Sequence, residues 1–330
     1  MAYPDATVSL TGQAQQTGDA LALFLELFGG EVLTAFDTKQ VTKGRHKTRS
    51  IPHGKSARFP ATWKVGSYEH TPGEELNFEV MNHAERVITI DNLVIAPVFL
   101  DILDEAMQHY EVRSEYAHQC GEELANAKDK NVFRVMDDAS QAAETHTGLS
   151  YDGVVLGEAT GGLMSTTPSL LIDAIFQAQQ ILDEQDVPDM GRQMFVRPAQ
   201  WYMLIRDKEI LNRDWGGAGS FSQGSMPLIG GMELVKTNNI PSTNESADTS
   251  INAKYRGDRT DLVALANTPH CVGTVDLIGL KTERAYDIRR QGHIILAKYA
   301  AGHGILRPEC SLSFTDAIVS SGEGQVPTPA

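Results

Sequence analysis

A chain of 330 residues, 41% hydrophobic and 22% charged, is long enough for two packed regions and a real core, and this balance excludes a disordered or fibrous protein. No apolar run reaches the roughly 18 residues that a membrane-spanning helix needs, and the polar stretch Met1 to Asp19 lacks the basic patch and apolar run of a signal peptide. The net charge of −15 sets the chain as a whole against long-range attraction to a polyphosphate.

Leu21, Phe24, Leu25 and Phe28 recur at helical spacing and predict an amphipathic helix opening near Asp19. Gly29-Gly30 is expected to end or bend it, with Val32, Leu33 and Phe36 continuing the apolar face. From Lys39 to Pro60 there are seven basic residues and no acid: Lys39, Lys43, Arg45, Lys47, Arg49, Lys55 and Arg58. A solvated or acid-paired surface is the expected reading of that run, with local contact to nucleic acid as the lesser one.

Ser56 to Val65 alternates strictly: Ala57, Phe59, Ala61, Trp63 and Val65 form one face, with polar residues and Pro60 between them. Pro60 lacks an N–H for a ladder, which places the strand at an edge. His70-Thr71-Pro72-Gly73 reads as a turn, and Arg86 to Val94 supplies a β-branched returning strand. The product is a long hairpin with no third strand nearby in sequence. Isolated hairpins are marginal in water, so Phe59 and Trp63 need a cover, supplied either by the rest of this chain or by a neighbouring copy.

Phe99 to about Ala139 carries a helical stripe through Leu103, Ala106, Tyr110, Ala117, Cys120, Leu124 and Ala127, with Gly121 as its weak point. A helix of about 40 residues would span about 60 Å, the length of a structural spine. Between Asp101 and Lys130 eight acids face only Arg113, Lys128 and Lys130. The Gly/Thr-rich stretch Thr145 to Met164 reads as a linker or strand-and-turn segment. Thr167 and Pro168 then start a helix whose apolar face is Leu170, Leu171, Ala174, Ile175, Ala178, Ile181 and Leu182. Gln193 to Val196 predicts a strand, Pro198 to Arg206 a helix, Trp215 to Met226 a flexible loop and Met232 to Val235 a strand. Thr237 to Asp261 is expected to be an exposed, mobile loop. Thr274 to Leu280, Thr282 to Arg289 and His293 to Tyr299 read as strands, and Ser320 to Ala330 as a disordered tail.

Chemical motifs are missing. There is no GxxxxGK[ST], GxSxG or HExxH, and Gly302-His303-Gly304 lacks the third glycine of a dinucleotide fingerprint. Cys120, Cys271 and Cys310 are scattered without CxxC spacing and read as buried, reduced thiols. The reading is therefore not an enzyme, with no catalytic, cofactor-binding or metal-binding residue assigned.

Four stretches, in order, carry a family resemblance: LFLELFGGEVLTAF (Leu23 to Phe36), RHKTRSIPHGKSARFP (Arg45 to Pro60), VITID (Val87 to Asp91) with YEVRSEY (Tyr110 to Tyr116), and ILAKYAAGHGILRPE (Ile295 to Glu309). Together they resemble the major capsid proteins of T7-like short-tailed bacteriophages, over roughly 19–139 and 191–315. The resemblance implies an α+β chain with the HK97-type capsid fold. It maps an N-terminal arm to 1–50, an extended β-hairpin (the E-loop) to 51–95, and a peripheral domain with the long spine helix to 96–190. An axial domain maps to 191–275, and return strands, re-entry to the axial domain and a C-terminal tail to 276–330.

On this resemblance the chain is expected to self-assemble into hexamers and pentamers of an icosahedral virion shell. Its implied partners are a scaffolding protein during assembly, a portal protein at one vertex, and enclosed double-stranded DNA held without sequence-specific binding. No membrane and no cofactor is expected, and assembly is placed in the bacterial cytoplasm. The E-loop would lie across a neighbouring subunit, and the opposed charges suggest that the basic segment meets a neighbour's acidic spine. The expected interface residues are Arg45, Lys47, Arg49, Lys55, Arg58, Phe59 and Trp63 on one side and Glu111, Glu115 and Glu122 on the other. Some relatives of this fold cross-link Lys to Asn; Lys55 and Lys64 lie on the arm, but T7-like capsids resemble the uncross-linked kind. The alternative of the same fold is a cellular nanocompartment shell around an enzyme cargo.

Overall fold

The computed structural model of the protein describes residues 22–62, 67–73, 75, 78, 83–101, 112–144, 151–157, 163–206 and 228–317. They divide into two compact units. One takes Met1–Gln40, Leu93–Ala127 and Ile278–Ala300; the other takes Val41–Asn92, Lys128–Leu277 and Ala301–Ala330.

In the first unit, helix α1 (Ala22–Lys39) buries Val32, Ala35 and Phe36. The first half of helix α2 (Val112–Ser140) buries Ala117, Cys120 and Leu124, a three-and-four spacing that makes one stripe. Gly121 lies where the two helices cross. A Cβ there would stand 2.5 Å from the Val32 carbonyl oxygen, so the residue that looks weak in propensity is what permits the close approach. Strand β4 (Val94–Asp101) pairs antiparallel with β11 (Gly292–Ile305), from Val94 opposite Tyr299 to Asp101 opposite Gly292. The Tyr299 ring packs 6.0 Å from that of Phe36.

The second unit is built on a mixed sheet. Its order is β5 (Val154–Gly157), β12 (Ser311–Thr315), β9 (Leu262–Asn267), β6 (Gln193–Val196), β8 (Met232–Lys236) and β7 (Leu228–Ile229). Every residue of β9 and β6 is buried. Helix α3 (Pro168–Glu184) buries Leu171, Ala174, Ile175, Ala178, Ile181 and Leu182, and helix α4 (Pro198–Arg206) follows β6. The second half of α2 adds Phe133, whose ring meets Phe195 edge-on at 4.9 Å. In the same unit β1 (Lys47–Ser50) runs parallel to β10 (Val272–Asp287), starting with Lys47 opposite Gly273. Strands β2 (Ser56–Thr62) and β3 (His83–Thr89) form a two-stranded antiparallel ribbon, from Ser56 opposite Thr89 to Thr62 opposite His83.

Several expectations are corrected. The long helix does not begin at Phe99: Val94–Asp101 is a strand, because alternation of half-buried Val94, Ala96, Val98 and Leu100 with outward Ile95, Pro97 and Phe99 matches pairing to β11. The helical stripe seen through Phe99 came from an apolar run in which both periods fit. Helix α1 runs through Gly29-Gly30 instead of breaking there. Each glycine costs a helix about 1 kcal/mol, so the pair costs about 2 kcal/mol, less than the burial of Val32, Ala35 and Phe36 beyond it contributes. The returning strand is His83–Thr89 rather than 86–94. Two strands expected at 274–280 and 282–289 are one continuous β10.

The segment 237–261 is not a free loop. It carries Ile240 and Tyr255, 3% and 1% exposed, and a 3-10 turn at Ala253–Tyr255. Two buried arginines tie it to α2. Arg134 donates through Nε and Nη2 to the two oxygens of Glu245, at 2.8 and 2.7 Å. Arg259 pairs with Asp137 at 2.9 Å and with Asp138. The expected flexible loop 215–226, the tail 320–330 and the expected helix start near Asp19 lie outside the described residues.

Candidate assembly interface

The basic segment is placed by its start. Asp129, on α2 and fully buried, accepts from the backbone N–H groups of Val41 (2.8 Å) and Thr42 (3.2 Å) and from the Thr42 hydroxyl (2.6 Å). One acid of the expected acidic spine is thus turned inward as a clamp, and burial raises its pKa despite these donors. His46 is also turned inward, with Nδ1 2.9 Å from the Thr42 carbonyl. Desolvation, reinforced by Lys128, lowers its pKa to about 4, so the middle residue of Arg45-His46-Lys47 is a neutral anchor and not a surface cation.

Beyond this anchor the side chains turn outward. All four residues of β1 are exposed, Lys47 and Arg49 among them. Arg49 Nη1 donates to the Arg58 carbonyl at 2.8 Å, and its guanidinium carbon lies 6.0 Å from the Phe59 ring centroid. This links β1 to the first strand of the ribbon and brings Arg49, Arg58 and Phe59 together. Lys55 is exposed, and its carbonyl accepts from the N–H of Ile90 at 2.9 Å, closing the base of the ribbon. Two of the expected cations are already paired within the chain: Arg45 with Glu233 at 2.9 Å, and Arg58 with Glu85 at 3.0 Å. The latter pair is well exposed and contributes at most about 1 kcal/mol.

Of the two covers open to Phe59, its own chain supplies part. Ala57 and Ile88 are buried against Val275 and Leu306, and Phe59, Ile51 and Ile90 pack on that cluster. The alternation puts Ala57 and Phe59 on one face of β2, and strands of the same unit cover the root of that face. Opposite, Val87 is 55% exposed on the outer face of β3. Trp63 and Glu111 lie outside the described residues.

On α2, Glu115 and Glu122 are exposed, seven residues and about two turns apart on one stripe. Glu115 accepts from Gln119 at 2.9 Å, and Glu122 stands 3.6 Å from Lys39. Among the described acids of the stretch 101–130, Asp129 is the one that is buried. Among the described residues no cluster of metal-ligating side chains occurs, and no helix is long and apolar enough to cross a membrane.

The sequence reading missed three features of this region: the inward clamp of Asp129, the anchor role of His46, and the contact of Asp91 with Tyr255. Spacing gave no signal for the first two, which depend on which side of a helix or turn faces in. For the third, the alternate glycines Gly302 and Gly304 were a usable sign of something crossing close to a strand.

Comparison with known proteins agrees with this architecture. The family model described as Gp10A-like: Major capsid protein matches residues 58–314. The major capsid protein of Escherichia phage T7 is 33% identical over 321 residues, covering 89% of this chain and 92% of its own length. That of Enterobacteria phage T3 is 33% identical over 323 residues, with 91% and 93% covered. Among solved structures, the capsid of the cyanophage P-SCSP1u matches with a TM-score of 0.77 at 33% identity, over 94% of this chain and 98% of that one.

Proposed function

The chain belongs to the Gp10A-like family of major capsid proteins, and from that premise we propose that it builds its shell through the β2–β3 arm and the basic β1 strand, each reaching a neighbouring copy. It is a structural capsid protein of a tailed phage, with the HK97-type fold, and its relatives are shell proteins and not enzymes. The proposed assembly consists of hexamers and pentamers around double-stranded DNA, formed with a scaffolding protein in the host cytoplasm and with a portal at one vertex. In it residues 1–50 act as N-terminal arm, 51–95 as E-loop (the β2–β3 arm), 96–190 as peripheral domain, 191–275 as axial domain, and 276–330 as return strands, re-entry and tail.

The observation that carries the reading is the ribbon itself. Among the described residues its two strands pair only with each other, which leaves one edge of each unpaired, and the outer face shows Val87 to solvent. Such a ribbon gains from a surface to lie on. Lys47, Arg49 and Lys55 at its root supply positive charge, and the exposed acids Glu115 and Glu122 of another copy supply the complement. Exposed pairs contribute about 0–1 kcal/mol each, so they set register and partner choice more than affinity. The acidic balance of the subunit suits a container whose DNA must slide during filling.

The test is charge reversal at the root. Lys47→Glu with Arg49→Glu is expected to leave the unassembled subunit folded while slowing shell formation and changing its dependence on salt. Unchanged assembly across a salt series would sink the charge-pairing proposal. The nanocompartment alternative is not favoured, since the phage proteins match along nearly the whole chain.

A further inference from the structure

The arm has a seat and a latch, both in the unit that carries it. Its root crosses directly over strands β10 and β11 at three glycines. A Cβ on Gly302 would lie 2.1 Å from the Thr89 carbonyl oxygen and 2.8 Å from the Ile90 Cα. A Cβ on Gly304 would lie 2.9 Å from the Ile88 side chain, and one on Gly273 would lie 2.8 Å from it. Gly302 and Gly304 are two apart on one strand and so present the same face. Any other residue at 302 meets backbone, which cannot step aside as the end of a flexible side chain does.

The latch lies just after the seat. The Asp91 N–H donates to the Ala301 carbonyl at 3.2 Å. The Asp91 carboxylate accepts from the Tyr255 hydroxyl, and that hydroxyl accepts in turn from the backbone N–H of His303 at 3.1 Å. Lys254 Nζ stands 3.7 Å from Asp91 and 5.2 Å from the centroid of the Tyr255 ring. Tyr255 therefore holds the end of the arm strand and the strand beneath it through one oxygen atom.

Tyr255 is itself rigidly presented. It is 1% exposed, and its short 3-10 turn is capped by Asn252 Oδ1, which accepts from the Lys254 N–H at 3.3 Å. Its carbonyl accepts from Arg259 at 3.1 Å, and Arg259 is the residue paired to Asp137 and Asp138 on α2. The chain of contacts runs from the helix through Arg259 and Tyr255 to Asp91.

We propose that the segment 237–261 is the buttress of the arm, with Tyr255 as the positioning residue that fixes the direction in which the arm leaves the subunit. This rests on the reading that the arm engages a neighbour, because only then does its exit direction matter to assembly. The role is distinct from core packing: the ring of Tyr255 serves the core, and the hydroxyl serves the arm.

Tyr255→Phe separates the two roles, since it keeps the ring and removes only the hydroxyl. The readouts are hydrogen–deuterium exchange of the unassembled subunit and the shape of its assembly products by electron microscopy. Exchange is expected to rise about tenfold in 83–91 and in the paired 56–62, as for loss of one hydrogen bond to a charged group. The core strands β6 and β9 should keep their protection, and assembly should give fewer closed shells with more irregular curvature. Asp91→Asn, which weakens the same contact from the other side, serves as the second variant and should act in the same regions. Unchanged arm exchange in both variants overturns the latch, whatever assembly does. Faster arm exchange with wild-type shells keeps the latch and overturns the reading that the arm engages a neighbour.

Discussion

Lys39 stands 3.6 Å from Glu122, while Glu115, two turns earlier on the same helix, has Gln119 as its hydrogen-bond partner. The two acids are therefore not equivalent as contacts for a second copy. Among the described residues Glu122 has a cation beside it and Glu115 has none. Charge reversal of Glu115 to Lys should slow assembly more than the same change at Glu122. It should also partly rescue the Lys47→Glu, Arg49→Glu double variant. Light scattering of assembling protein at several salt concentrations reads both effects. Equal effects from the two acids, with no rescue by either, would contradict the proposed pairing.

Phe59 and Phe195 give contrasting expectations. Phe195 is fully buried against Phe133, and Phe195→Ala should cost about 3–5 kcal/mol. Phe59 is half-buried on its own chain's cluster, and Phe59→Ser should cost the isolated subunit about 1–2 kcal/mol, less than full burial of a large side chain contributes. Its larger effect should be on shell yield. Urea denaturation of the subunit beside a sedimentation assay of shells separates the two.

The Arg259 side chain is 1% exposed between Asp137, Asp138 and Glu245. Arg259→Met leaves these carboxylates without their central cation, and a broken buried network of this kind costs about 3–5 kcal/mol. The loss should appear as a drop in urea midpoint. A change below about 1 kcal/mol would mean that water takes over the role of the guanidinium.

Buried histidines and a buried aspartate should shape the acid response with opposite signs. Burial holds the His46 pKa at about 4, below its ordinary 6.5, so the unfolded chain binds the extra proton between these values. The stability from His46 is full above about pH 6.5 and is lost as pH falls toward 4, roughly 3 kcal/mol in all. His303, also lowered by burial, adds in the same direction. Asp137 is raised by burial from 3.8 to about 6 even beside Arg259. Here the folded state binds the extra proton, so this contribution is full below about pH 3.8 and is lost as pH rises through 6. His46→Gln should flatten the fall in stability between pH 6.5 and 4, and Asp137→Asn should steepen it. Urea melts across that range check both slopes.

Much of the fold was legible where one period dominated. The stripe of α3, the proline at its start and the alternation from Ser56 to Ala61 each fit a single template, and the structure follows them, whereas Thr167 takes the N-cap position without a side-chain capping bond. Legibility failed where an apolar run fitted two templates, as at Val94–Asp101, where pairing with β11 decides for strand. Strand β9 was missed because LVALAN is buried on both faces and carries no alternation. Of the site, the cations were readable as a run, but which ones stay at the surface was not. That depends on Glu233 meeting Arg45 from 188 residues away and on Asp129 turning inward. The segment 237–261 looked like a loop because its anchors, Arg134, Asp138 and Asp91, lie far from it in sequence.

A shell subunit that closes by arm-to-neighbour contact is tested most directly by electron microscopy. The chain is co-expressed with the scaffolding protein proposed for it and the size-excluded product is imaged in negative stain. Closed polyhedral shells or curved fragments of them are expected, and they should be lost when Val87 and Phe59 are changed to Ser in a subunit that still folds. A stable, well-folded monomer at high concentration with scaffold present, or intact shells from the Val87→Ser, Phe59→Ser variant, would contradict arm-to-neighbour closure.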